Sequence, residues 1–314
     1  MRCQSKRSIL SLFLTLLAVT CSASSASQTS WSKYLKQHHP NKKTGFPLLL
    51  CVVEETQAAS LLPIFATSVL ALPGRWEKSL TVVATSPSAK AICDRIHSSC
   101  FLEEHVFSHE RVNFTGSRAF KSQPSYSPAK STKVKRTAET LQIAWGKVYY
   151  AELTVALGYD VLTLDVDMVL LRPFMKQLQG SLADMLYSED VPGAPNVGFM
   201  LYRANAQTLR FLQIWQEERF DPQSVEQYHF PAAVKLAQAE MPHFTVKALD
   251  IAQFPGGCGV NSKKWWCCDS SFPKNTPAAV RSHWAIFHAT CVYGEKRGAK
   301  LAILRRVLAV CMPS

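Results

Sequence analysis

The chain has 314 residues, 47% hydrophobic and 18% charged, a globular balance that excludes an intrinsically disordered protein. Its formal net charge of +12 favours anionic ligands such as nucleotides, phosphates or acidic glycans. Nucleic acid is not expected as a partner, because no zinc-finger spacing and no heptad with a basic array accompanies that charge.

Arg2, Lys6 and Arg7 precede a nearly continuous apolar stretch from Ile9 to Thr20, and small residues follow, with Ala23 or Ala26 placed before a cleavage site. The stretch falls short of the ~20 apolar residues that span a bilayer. Residues 1–26 therefore read as a signal peptide, or else as a short signal anchor. Membrane association is expected only if the segment is retained as an anchor. Of the ten cysteines, Cys3 and Cys21 lie in this leader, leaving Cys51, Cys93, Cys100, Cys258, Cys267, Cys268, Cys291 and Cys311. An even set in an oxidising lumen reads as disulfides rather than a zinc site, since no matched Cys-x-x-Cys pairs occur. Asn113-Phe114-Thr115 is a glycosylation acceptor sequence.

Residues 27–45 are polar and basic and read as a stem or linker, followed by one domain over 46–314. Pro47 to Val53 is a short apolar run bounded by charge, as in a buried strand. Helical spacing over 56–72 stops at Pro73-Gly74. Leu80 to Ala84 forms a second strand, and a helix spans roughly 88–97. This alternation predicts a parallel α/β sheet. Residues 115–136, rich in Ser, Pro and Lys, read as a solvated loop or as a lid over a phosphate-bearing ligand.

A helix over 138–157 places Leu141, Ala144, Trp145, Val148, Tyr149 and Leu153 on one face and ends at Gly158. Asp160 to Leu164 is then a strand running into Asp165-Val166-Asp167. The C-terminal ends of strands in open α/β sheets face the ligand crevice. Paired carboxylates there suit Mg²⁺ or Mn²⁺, which share phosphate oxygens with the protein. The same pair also suits a turn after a strand. In a phosphatase it would supply an aspartate nucleophile, Asp165, and an acid/base, Asp167. That arrangement normally opens its domain, whereas about 110 residues of strand and helix precede it here. A basic amphipathic helix over 296–310 is expected to pack on the domain.

The stretch from Gly158 to Pro173 closely resembles the metal-binding strand of the nucleotide-diphospho-sugar transferases, nearest to glycosyltransferase family 77. Three further segments follow in that family's order. Asn196-Val-Gly198-Phe199 is similar to its sugar-pocket strand, Glu226-Gln227 stands where the family has Asp-Gln, and His288-Ala-Thr290 stands for His-Ala-Asn. The resemblance implies a GT-A fold (Rossmann-like, a mixed, mainly parallel sheet flanked by helices) in a single catalytic domain. It also implies a metal-dependent enzyme moving sugar from a nucleotide sugar, typically a UDP sugar, to a glycan or glycoprotein, with retention and in the Golgi lumen or after secretion. Asp165, Asp167 and His288 would hold Mn²⁺ or Mg²⁺, with Asp165 alternatively on the ribose. Asn196, Gly198 and Gln227 would face the sugar, with Gln227 counted beside Asp165 and Asp167 among the catalytic residues, and Lys296 or Lys300 would face the diphosphate. Lys147 either reaches a nucleotide phosphate or lies on a solvated helix face. Trp265-Trp266 either stacks an acceptor sugar or packs internally. The Glu226 and Thr290 departures leave open an inactive glycan-binding relative.

Overall fold

The computed structural model describes residues 28–40, 46–74, 76–103, 138–219, 225–256, 272–274, 276–290 and 297–312. The leader, Asn113, the 115–136 segment, Cys258, Cys267, Cys268, Cys291, Trp265, Trp266 and Lys296 lie outside these.

A seven-stranded sheet organises the chain, in the order β3 (Cys100–Leu102), β2 (Leu80–Ala84), β1 (Leu48–Val53), β4 (Val161–Leu164), β7 (Ala194–Tyr202), β6 (Met185–Val191) and β8 (Val246–Ala248). Every strand pair is parallel except the two that β7 makes, with β4 and with β6. The parallel part of this sheet is what the strand–helix alternation predicts, and its mixed, mainly parallel character is what the family resemblance implies. A separate two-stranded ribbon pairs β5 (Met168–Leu170) with β9 (Ile286–His288).

Strand β1 is buried along its whole length and feeds two cores by alternation. Leu49, Cys51 and Val53 face one core with α2 (Glu55–Ser60), α3 (Leu62–Ala71), α4 (Pro87–Ile96) and the C-terminal helix, while Leu48, Leu50 and Val52 face the other. That second core is closed by α5 (Ala138–Ala156), α7 (Ala206–Glu217) and α8 (Glu226–Glu240). Continuous apolar strands thus reflect helices on both faces. The predicted 56–72 helix is two helices, because Pro63 supplies no N–H and its ring crowds the preceding turn. Gly158 ends α5 with φ 84°, a conformation that costs a glycine little. The C-terminal helix α10 (Arg297–Cys311) packs on the first core through Ile303, Leu304, Val307 and Cys311. No described helix is long and apolar enough to cross a membrane.

Two expectations are corrected. Residues 28–38 are not a stem but a helix, α1, whose Trp31 and Leu35 are wholly buried. The basic residues of that stretch lie on its outer face, which gives the segment its hydrophilic composition. Trp31 sits edge-on to Phe101 and Tyr150 and donates its indole N–H to Thr154 Oγ1 at 3.2 Å. Beyond the helix, His39 Nε2 lies 2.7 Å from Thr81 Oγ1 and Tyr159 donates to the His39 carbonyl. The ordered domain therefore includes residues 28–40. The even cysteine set is also not wholly paired. Cys93 and Cys100 form a disulfide joining α4 to β3, whereas Cys51 and Cys311 are buried free thiols that pack as small apolar side chains.

Trp31→Ala should cost about 3–5 kcal/mol by the large-to-small rule for aromatic core residues, read as a lowered midpoint in denaturant unfolding. A midpoint equal to wild type would show α1 to be an appendage.

Candidate active site

Asp165 and Asp167 lie in the tight connection between β4 and β5, and neighbouring strands fix both ends of it. On one side β4 runs antiparallel to β7 with Leu164 opposite Phe199, and Asp165 N–H donates to the Gly198 carbonyl at 2.7 Å. On the other side Met168 stands opposite His288, and Ala289 N–H donates to the Asp167 carbonyl at 2.9 Å. Residues 121 apart in sequence are thereby juxtaposed, with His288 Nε2 at 3.0 Å from Asp167 Oδ1 and 3.5 Å from Asp165 Oδ2.

One ligand atom from each of Asp165, Asp167 and His288 lies within 4.8 Å of the others. Two carboxylates with an imidazole make a hard, mixed O/N donor set for a divalent cation. The backbone leaves space for that set only because residue 198 is glycine. A Cβ there would stand 2.2 Å from His288 Cε1, 2.6 Å from Asp165 Oδ2 and 2.9 Å from Asn196 Oδ1. The donor chemistry and this cradle both fit a divalent ion.

Two lysines balance the carboxylates. Lys147, on α5, is only 4% exposed; its ammonium donates to Asp165 Oδ1 and lies 3.1 Å from Glu226 Oε1. Burial alone would lower its pKa, but Asp165 and Glu226 more than offset that and hold it above the usual lysine range. Lys300, on α10, donates to Asp167 Oδ2. Burial tends to raise the Asp167 pKa, yet Lys300 and His288 hold the carboxyl well below its usual range. His288 is the converse: burial lowers its pKa, and Asp167 and Asp165 reverse the direction to a net rise. Each buried charge is paired, as the cost of leaving one unpaired requires.

A cavity of about 230 Å³ opens over this cluster. Asp165, Asp167, His288, Asn196, Gln227, Lys147 and Lys300, all expected site residues, line it together. Lys147 is not on a solvated helix face: it reaches the cavity as a buried lysine between two carboxylates. Asn196 orients the wall, accepting from Gly198 N–H at 2.8 Å and donating to Asp190 Oδ1 at 2.8 Å.

Sequence reasoning missed Asp190, Gln57 and Tyr228, all of which line the cavity. Asp190 is the last residue but one of β6, just before the strand carrying Asn196, so an acid near a strand end was the available signal. Gln57 carries a buried Oε1 with no partner among the described residues, and Tyr228 is exposed beside Gln227. Glu226, first read only as a departure, proves to be the second partner of Lys147. Gly256 is a second close approach, since a Cβ there would stand 2.9 Å from Asp190 Oδ1.

Gly198→Ala should fold but bind divalent cations at least about tenfold more weakly, the scale for disturbing the supports of a metal site. Calorimetric titration with Mn²⁺, beside an unchanged circular dichroism spectrum, checks this; unaltered affinity would mean that the cradle is not the ion site.

A family model described as nucleotide-diphospho-sugar transferase matches residues 79–304. No curated protein sequence matches the chain. Among solved structures, mouse xyloside xylosyltransferase 1 is 14% identical over 77% of this chain and 97% of its own, with TM-score 0.45. The galactosyltransferase LgtC, solved with donor and acceptor sugar analogues, is 11% identical over 85% and 96% of the two chains, with TM-score 0.46. The glycosyltransferase GlyE of Streptococcus pneumoniae is 8% identical over 84% and 63%, with TM-score 0.38. The matched stretch takes in Asp165, Asp167, Asn196, Glu226, His288 and Lys300, which sets aside the phosphatase reading of the paired aspartates: the chain belongs to the nucleotide-diphospho-sugar transferase family.

Proposed function

We propose that this transferase is divalent-cation-dependent, uses a UDP sugar as donor, and delivers the sugar with retention to a hydroxyl of a glycan or glycoprotein. The observation that carries the reading is the Asp165–Asp167–His288 cluster within 4.8 Å, held open by Gly198 beneath a polar cavity. Mn²⁺ suits the imidazole in this set, and Mg²⁺ is the alternative. When bound, the cation supplies Lewis-acid stabilisation of the departing nucleoside diphosphate.

The remaining chemistry falls to the chain's own residues. Lys147 fixes the Asp165 carboxylate and carries positive charge at the floor of the cavity. Asn196 and Gln227 offer amides to the donor sugar's hydroxyls, and an amide already oriented by Asp190 and Gly198 loses little freedom on binding. Glu226 is a poor nucleophile here, because its carboxylate is buried and ion-paired to Lys147. A front-side route fits that arrangement. The acceptor oxygen bonds to the anomeric carbon as the carbon–diphosphate bond breaks on the same face, and the acceptor's proton passes to a diphosphate oxygen. The anomeric carbon gains oxocarbenium character in such a step.

The leader's apolar run and the Cys93–Cys100 disulfide support a lumenal enzyme of the secretory pathway, in the Golgi or secreted. Membrane attachment would then rest on residues 1–26 being retained as an anchor.

Asp167→Asn should lower Mn²⁺-dependent turnover of a UDP sugar by about 10²–10³-fold, the scale for removing one electrostatic stabiliser of a developing anion. A donor series of UDP-xylose, UDP-arabinose, UDP-galactose and UDP-glucose with free sugar acceptors provides the assay. Wild-type turnover in Asp167→Asn would contradict the metal role. No turnover with any donor, alongside intact Mn²⁺ and UDP binding, would favour an inactive glycan-binding relative.

A further inference from the structure

Successive residues of α8 climb one wall of the cavity. Glu226, the first, is 4% exposed and turns to the floor, where it meets Lys147 at 3.1 Å. Each following helical residue is rotated by about 100°. Exposure rises along that turn, with Gln227 half-buried and Tyr228 52% exposed. Tyr228 therefore stands at the mouth of the cavity whose floor carries the cluster. Phe46, Leu70 and Leu182 are also large exposed apolar side chains among the described residues, but none of them lines the cavity.

The backbone beneath the Tyr228 ring is fixed. Trp215 donates its indole N–H to the Glu226 carbonyl at 3.1 Å, and Tyr228 N–H donates to the Val225 carbonyl at 3.3 Å. Phe230, two residues on, is buried in the second core. The ring itself has no hydrogen bond or ring contact among the described residues. A tyrosine has only two side-chain torsions to order, so a rigidly mounted, uncovered ring takes a ligand at small entropic cost.

Chemistry names that ligand. A nucleoside diphosphate is drawn to the charged floor, so the donor fills the depth of the cavity and the acceptor arrives over the mouth. One face of a sugar ring is a patch of C–H bonds, and its rim carries hydroxyls. Such a patch suits the electron-rich face of an aromatic ring. The phenolic oxygen can donate to a rim hydroxyl or accept from one. A serine or threonine side chain on a polypeptide offers no comparable face.

We propose that Tyr228 is the stacking platform for the acceptor's terminal sugar, which makes the acceptor a saccharide and not an unmodified protein hydroxyl. The assignment rests on the functional reading above. It makes Tyr228 an acceptor-binding residue that takes no part in holding the nucleotide. A ring stacked there presents rim hydroxyls inward to the donor and leaves the rest of the glycan in solvent.

The test is saturation-transfer NMR on the full chain loaded with Mn²⁺ and UDP. The probes are the methyl glycosides of xylose, arabinose, galactose and glucose, beside a peptide bearing serine and threonine. At least one glycoside should receive saturation, concentrated on the C–H protons of one ring face, and the peptide none. Tyr228→Ala should reduce that transfer by at least about fivefold, the scale of one aromatic stacking contact. Tyr228→Phe and Tyr228→Trp should retain it, and Leu182→Ala, at an exposed position off the cavity, should not alter it. UDP affinity in Tyr228→Ala should stay within about twofold of wild type, because truncating an exposed side chain disturbs the fold little. No transfer to any glycoside, transfer to the peptide alone, or transfer that survives Tyr228→Ala would overturn the proposal. So would weakened UDP binding in Tyr228→Ala, which would set the ring against the nucleotide. Wild type that binds no UDP in the presence of Mn²⁺ would instead remove the functional reading on which the proposal rests.

Discussion

Two backbone hydrogen bonds hold the centre of this molecule: Asp165 N–H to the Gly198 carbonyl and Ala289 N–H to the Asp167 carbonyl. They clamp the β4–β5 connection between a strand of the main sheet and a strand of the small ribbon. Because side chains alternate along paired strands, a one-residue slip in either pairing would turn its side chains to the opposite face. Register is therefore the constraint on which the cluster depends. The cores behind β4 and β5, with Leu162, Leu164, Val169 and Leu170 fully or almost fully buried, make such a slip expensive.

Upon that clamp sits an alternating line of charge, from Glu226 through Lys147 to Asp165, and from Lys300 to Asp167 with His288 between the aspartates. Its logic is electrostatic. Carboxylates gathered for a cation would repel one another in a weakly solvated site, and the lysines hold them together. The lysines come from α5 and α10, which pack on different cores, so both faces of the sheet contribute to one site. The site is where the strands' C-terminal ends meet the helices, as the α/β rule places it.

Much of this was legible in the sequence. Apolar runs such as Leu48–Val53 and Leu80–Ala84 are too short and too β-branched for helices, and the strands fall there. Gly158 and the Ser86 cap, which accepts from Ala89 N–H, end and begin helices through local chemistry that sequence carries directly. The role of α1 was hidden, because Trp31 and Leu35 are two apolar positions in an otherwise polar segment, and their burial depends on Phe101 and Tyr150 from distant elements. Asp190 and the burial of Lys147 were hidden for the same reason. A lysine on a helix looks solvated until two carboxylates from other elements close over it. Asp165 and Asp167 stood out as paired carboxylates at the end of an apolar strand, whereas Asn196 and His288 were found through motif resemblance, and periodicity alone would have left His288 a core residue.

The central claim is that Asp167 and His288 hold a divalent cation beneath a nucleoside diphosphate. Anomalous diffraction from crystals grown with Mn²⁺ and UDP tests it most directly. The account predicts a peak within about 2.3 Å of both the Asp167 carboxylate and His288 Nε2, a span that covers first-row metal–ligand bonds. A map with UDP present and no anomalous density at that position would contradict it.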